Sequence, residues 1–403
     1  MRMSWRGEDG IALVITLLVM TILFVMGTAF LSISSTETLI AINERNRVQA
    51  FHLAEAGAER GIAELNASGA YGGTAGAQSL GFGTYETTVT NVAPPPGVLD
   101  PKQIVSKGYV PNNVVSNRAM AWVEVSVQRG SPFQVALFGL SLVELAQTEV
   151  DSYDSTGGVL YDPVTAGAEG HIHSNGDIKL WSDNTVNGNA EAVNNITDLA
   201  PGTNVITGSS TTGVTGISVV TGITYPPCTN AGGISPAGAF TFDPVDCNLT
   251  VLSGATVTLD QGTHSFGKIT VESDAKIAVN GPVTLYLTDQ FKAAKNTVIN
   301  TSQIPGNLMI FSSYNGTDGN GTDAMTMASL GSGEFGEFYA GIYALNGEVE
   351  FNEGGWQIYG AIVAKNLDIE EGSGFHYDSA LAQVPSPAGK FRPTGGTWQE
   401  VFP

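Results

Sequence analysis

The residues that could do chemistry in this 403-residue chain are few and far apart. His171 and His173 in "HIHSNGD", followed by Asp177, have the composition of a metal site. On a strand the two histidines would share one face, because side chains alternate. Two ligands without a third hold zinc poorly. The expectation is therefore a polar corner whose His and Asn satisfy backbone groups. "NGTDGNGTDA" sets Asn315, Asp318, Asn320 and Asp323 in an acidic loop. Calcium takes about six to eight oxygens, and the terminal glutamate of an EF-hand is missing, so a solvated loop is expected. His376 and Asp378 in "GFHYD" have the types of a catalytic pair, but no G-x-S-x-G nucleophile motif accompanies them. Closure of a β coil is the reading for that segment. Neither a metal nor a cofactor is expected.

An enzyme that cleaves polysaccharide would need carboxylates or basic groups gathered on one face. Lys268, Lys276, Lys292, Lys295, Lys365, Lys390 and Arg392 are instead strewn along the C-terminal half. Alternation along a strand does not reveal whether carboxylates on different strands meet. The formal net charge is -21, which would repel phosphates and argues against a nucleic-acid partner. Cys228 and Cys247 are the only cysteines, with no C-x-x-C spacing. In an exported segment they are expected to pair, and the closed loop would contribute roughly 3 kcal/mol. Two unpaired structural thiols are the alternative.

These residues need elements to hold them, and the composition points to strands. Glycine supplies 50 residues and charged residues only 14%, which favours short strands and turns. Beyond Gln128, segments such as "GKITVESDAKIAV", "GNLMIFSS" and "WQIYGAIVAKNLDIEEGSGFHYD" each pair an apolar run with a Gly, Asn or Asp corner. Repetition near every twenty residues or so suits a parallel β-helix, with a β-sandwich as the alternative. Before it, Thr84–Val92, Gln103–Val110 and Asn117–Gln128 read as a small antiparallel sheet, with Trp122, Val125 and Val127 as core or edge residues.

The N-terminus differs from everything after it. No charged residue falls between Gly10 and Thr36, a length that crosses a bilayer as a helix. Arg2 and Arg6 precede it and favour a cytoplasmic N-terminus. A cleaved secretory signal would have a shorter apolar core and a small-residue cleavage site after it. Here the run continues without proline from Ile11 to Leu65. Val48, Phe51, Ala54, Ala58, Ile62 and Leu65 recur at helical spacing, and "NASG" supplies a stop. A single helix of this length would extend about 80 Å. A plain membrane anchor explains the apolar run but not the stripe that follows.

"GIALVITLL" followed by "NERNRVQAFHLAEAGAERGI" resembles the N-terminal region of PilX-type minor pilins of type IV pili and of the related tip pseudopilins of type II secretion. The likeness is strong over about the first sixty-five residues, and "AFHLAEAG" is its most specific part. Later segments, such as "HIHSNGDIKL" and "GSGFHYDSAL", resemble large pilus assembly proteins more weakly. The resemblance implies that a prepilin peptidase cuts between Gly10 and Ile11 and that the new terminus is methylated. Gly7 is a competing site, but it would leave Glu8 and Asp9 at the head of a membrane helix, which is costly. The resemblance further implies a glutamate five residues after the cleavage glycine, to neutralise a neighbouring subunit's amine. Ile15 stands there, and Glu37 is too distant to replace it. That departure fits a tip or priming subunit, since a subunit without the acid satisfies no amine above it.

The expected organisation is an α+β protein. Residues 1–10 are a leader, 11–66 a transmembrane assembly helix, 67–130 a small antiparallel head, and 131–403 a displayed β-rich domain. The expected function is a minor pilin displaying that domain for adhesion or minor-pilin complex formation. It would sit in the inner membrane before assembly and on the cell surface afterwards. Its partners would be other minor pilins, the major pilin, the prepilin peptidase, the inner-membrane assembly machinery and a surface or glycan ligand. The alternative is a membrane-tethered β-helix enzyme acting on carbohydrate, or an adhesin.

Overall fold

In a computed structural model of the chain the described residues are 8–93, 101–116, 118–221, 223–228, 232–316, 323–394 and 398–401. The chain forms a long N-terminal helix followed by a predominantly β domain. It divides into two compact units: residues 1–94, 100–128 and 392–403 form one, and residues 95–99 and 129–391 the other.

In the first unit α1 runs unbroken from Glu8 to Ser68. It stops where Gly69 takes a positive φ of 64° and its N–H bonds the Leu65 carbonyl at 2.7 Å, a turn that glycine makes without a Cβ penalty. From Leu13 to Ile42 its large apolar side chains are exposed all round. Beyond, one face packs on a sheet formed by β1 (Gln78–Leu80), β2 (Gly83–Asn91), β3 (Lys102–Val110) and β4 (Ala119–Arg129), whose successive pairings are antiparallel. Val125 and Val127 are buried in it, and Trp122 is half-buried.

The packed stripe of α1 is rotated from the expected one. Ala54, Ala58 and Leu65 are buried as expected, but Phe51 and Ile62 are half-buried and Val48 is 45% exposed. Ala50, Leu53, Gly57 and Gly61 complete the buried face. The reason is close approach: a Cβ on Gly108 of β3 would strike the Ala50 carbonyl and come within 2.8 Å of the Ala54 nitrogen. The helix lies so near its sheet that small residues form the seam and the bulky ones flank it. The closing stretch also differs from expectation. Residues 392–403 group with the first unit rather than with the large β domain, and Gln399–Val401 pairs antiparallel with β4.

The second unit is built of long parallel ladders. In one, Val257 faces Ile277, Ile277 faces Ile299, and the row continues through Phe338, Ile358, Phe375, Val150, Val186 and Ile206. A second aligns Leu249, Ile269, Phe291, Met325, Val349, Leu367, Val143, Ile178 and Ile196. A third aligns Leu285, Ile310, Ile342, Ile362, Leu137 and Ile172. Burying like residues in register removes apolar surface at each step, at about 25 cal/mol per Å².

Stacking order is not chain order. The first strands of the unit, β5 (Leu137–Leu145) and β6 (Glu149–Tyr153), lie in the middle of the ladders. On one side they pair with 172–186, and on the other with the late strands Gln357–Ile369 and Gly374–Asp378. The chain therefore builds outward to Thr212, crosses to the far end, and builds back. The crossing is a strap whose described residues are 214–221 and 223–228. Ile217 N–H donates to Asn175, Tyr343 hydroxyl to the Val220 carbonyl, and Ser265 hydroxyl to the Pro226 carbonyl. Stacked strands lie about 4.8 Å apart and an extended chain rises about 3.3 Å per residue, so the strap passes one ladder step every one to two residues. Beneath it runs a row of Ser265, Tyr286, Phe311, Tyr343, Val363, Phe138 and His173, all buried.

The unit's entry and exit adjoin. Gly130 N–H donates to the Lys390 carbonyl at 2.8 Å, and the Arg129 guanidinium lies 4.4 Å from the Phe391 ring centre.

Candidate assembly helix and polar clusters

Of the expected leader Met1–Gly10, residues 1–7 lie outside the described residues, and Gly10 and Ile11 fall within the first turns of α1. Ile15 is 57% exposed on the helix and offers its surroundings only hydrocarbon. Among the described residues α1 is a helix long and apolar enough to cross a membrane by length and composition. Its second half is held by Thr87, whose hydroxyl donates to the Gly57 carbonyl at 3.1 Å beside Ser106. The element therefore joins a bare apolar rod to a docked stem.

Cys228 and Cys247 form a disulfide, their Cα atoms 6.0 Å apart. The bond anchors the far end of the strap to the strand Asn248–Val251.

The two histidines of "HIHSNGD" do not converge on one ligand. His171 Nδ1 accepts the Asn189 N–H at 2.9 Å, whereas His173 is buried beside Phe138 with its Nε2 3.2 Å from Asn175 Oδ1. Asp177 accepts from the backbone and side chain of Asn195. No group of three metal-ligating residues occurs among the described residues. In the acidic loop Asp318 and Asn320 lie outside the described residues, and Asp323 opens the strand Asp323–Met327.

His376 and Asp378 enter separate networks where late strands meet early ones. His376 Nδ1 stands 2.7 Å from Asp151 Oδ1, and its Nε2 stands 3.1 Å from the Gln357 amide oxygen. The Tyr161 hydroxyl donates to the other Asp151 oxygen at 2.6 Å, and its ring lies 3.9 Å from the imidazole. Asp378 accepts from the Ser155 N–H and hydroxyl and from the Ala380 N–H. Burial pushes its carboxyl up, and the Ser155 bonds oppose that. Both networks tie strand Gly374–Asp378 to β6 and the turn after it.

One cluster has no local signal in the sequence. Glu350, Asp368 and Glu144 are successive partners across three parallel strands, so their carboxylates stack along one outer row. Burial first, then Glu144, Glu370, Glu348 and Glu350, push Asp368 up to about 7. Glu144 accepts from Trp181 Nε1 at 2.6 Å and pairs with Lys179 at 3.3 Å. The row borders a cavity of about 330 Å³ lined by Trp181, Leu199, Glu353 and Glu370. The three acids are 206 and 18 residues apart along the chain, from Glu144 to Glu350 and from Glu350 to Asp368, so only the ladder register gathers them.

Comparison with known proteins identifies two segments. Residues 9–59 match the family model described as PilX N-terminal, and residues 233–384 match a domain of unknown function (DUF7305). No curated protein matches the chain. Among solved structures, the competence-associated pilin ComZ from Thermus thermophilus matches at 13% identity, over 89% of this chain and 96% of that one. Its TM-score of 0.30 is too low to equate the folds. Over residues 9–59, most of the long apolar helix included, the chain is thus similar to the N-terminal region of PilX-type minor pilins, and this segment precedes a large C-terminal β domain.

Proposed function

We propose that this chain is a tip or priming subunit of a pilus-like filament, cut between Gly10 and Ile11 and displaying its β domain outward. The observation that carries the reading is α1 itself: 61 unbroken residues, bare and apolar at the start and docked on a sheet by the end. A bare apolar rod in water is unfavourable, and lipid or neighbouring helices would cover it. Ile15, in place of an acid, supports a position with no subunit above. The parallel ladders support a β-helix as the displayed architecture, with other minor pilins, the major pilin or a surface glycan as its contacts. Inner-membrane residence with a cytoplasmic N-terminus comes before assembly in this scheme.

Peptide mass spectrometry of sheared surface filaments and of the inner membrane tests it. A methylated peptide beginning at Ile11 in the filament fraction is expected. An intact Met1 terminus confined to the membrane would overturn the reading. Gly10→Ala should abolish appearance in filaments.

A second reading, a tethered carbohydrate-active enzyme, draws on the carboxylate row, where Asp368 holds its proton near neutrality as a general acid must. Under that reading Asp368→Asn abolishes polysaccharide cleavage and Gly10→Ala leaves it intact. Under the pilin reading there is no cleavage to lose.

A further inference from the structure

The end of the first unit's sheet that faces the bare half of α1 carries an unusual surface. At the β1–β2 turn Phe82 is 88% exposed beside exposed Leu80, and in the loop after β3 Val114 is 84% exposed beside Val115. Large apolar side chains at loop tips cost free energy in water and commonly mark an interaction site.

Direction along the helix identifies the occupant. Ile104 of β3 lies against Gly61, and Gly108 lies against Ala50 and Ala54, so β3 runs beside α1 with its end pointing back toward the apolar half. Val110 therefore stands about 7 Å nearer that half than Gly108 does. From Thr36, where the uncharged stretch ends, to Ala50 the helix rises about 21 Å. A headgroup layer about 5 to 8 Å thick covers part of this distance. The remainder is about 8 Å, which the loop after Val110 can span. Charge agrees with the placement. Arg45, Arg47 and Arg118 balance Glu37, Glu44 and Glu400 here, Arg47 and Glu400 being 3.5 Å apart, in a chain whose formal net charge is -21. This end is the part of the unit least repelled by anionic headgroups.

We propose that the Phe82 and Val114 loop tips rest in the phospholipid headgroup layer while α1 spans the membrane, giving the unassembled subunit a second, shallow membrane contact. The contact rests on the membrane-spanning reading of α1. Before extraction into a filament the contact would fix the tilt and rotation of the head, and extraction would release it.

Both native cysteines are in a disulfide, so one introduced cysteine can be labelled in the full chain. F82C, V114C, F24C in the apolar half, and S68C at the far end of α1 are each labelled with an environment-sensitive fluorophore. The chains are reconstituted in phosphatidylcholine–phosphatidylglycerol vesicles bearing headgroup or acyl-chain nitroxides. The expected result is acyl-chain quenching at position 24, and headgroup quenching at 82 and 114 at least twofold above position 68. Quenching at 24 alone overturns the loop contact and leaves the spanning helix standing. No quenching at 24 overturns both. A signal at 114 that ignores nitroxide lipid but changes when two labelled chains share a vesicle would assign the surface to a second copy and overturn the proposal.

Discussion

Where α1 lies on its sheet, the facing residues are Ala50, Ala54, Gly57 and Gly61 from the helix and Gly83 and Gly108 from the strands. Inside the β domain the large residues buried between ladders include Phe291, Phe338, Phe351, Phe375 and Trp356. One interface gains its energy from backbone nearness, the other from side-chain volume. The first tolerates added atoms least at Gly83 and Gly108, where the nearest neighbour is a main-chain carbonyl that cannot turn aside, whereas Gly57 and Gly61 face side chains. The second tolerates no lost atom, because stacked strands collapse little into a cavity.

That contrast can be broken by substitution. Phe338→Ala should have the largest effect, costing about 3–5 kcal/mol in the β domain and leaving the helix unit unchanged. Hydrogen exchange read separately over 137–378 and over β2–β4 measures it, and equal loss in both units would break the contrast. Cys228→Ser comes next, at roughly 3 kcal/mol from the freed loop. Limited proteolysis should then cut within 214–228 first. Gly108→Ala is expected to cost about 1–3 kcal/mol, confined to the helix unit, since one methyl meets the Ala50 carbonyl.

The smallest effect is electrostatic. A carboxyl whose folded pKa is raised binds its proton more tightly folded than unfolded, so stability from Asp368 is fullest below its ordinary 3.8 and declines as pH rises to about 7. Asp368→Asn should flatten that part of a melting-temperature profile between pH 4 and 8 and raise the melting temperature at the alkaline end. An unchanged slope would show that Asp368 is not the group responsible.

Periodicity made the long helix, the small sheet and the strand-rich remainder legible from the residues alone. It placed the stem's packed face slightly wrongly, because Gly57 and Gly61 carry no hydrophobic signal while Val48 does. It missed what depends on lateral pairing. Nothing local in Leu137–Leu145 says that its neighbour is Gln357–Ile369, so neither the mid-stack start nor the Glu350–Asp368–Glu144 row could be read in advance. The strap was equally hidden, since its sequence has neither alternation nor helical spacing and its contacts, at Ile217, Val220 and Pro226, are made to the row beneath and to Asn175. Only the cysteine pair at its far end left a mark in the sequence.

The Gly130–Lys390 bond makes residues 130–390 a cassette with both leads at one socket. A chain interrupted in this way can exchange the whole insert without moving the parts on either side. Joining Arg129 to Phe391 through a short turn should leave a folded stem and sheet, and the excised cassette should fold alone. Lineages that keep the same anchoring helix could thus carry very different cargo, and the helix would evolve under one set of demands while the cargo answered to another.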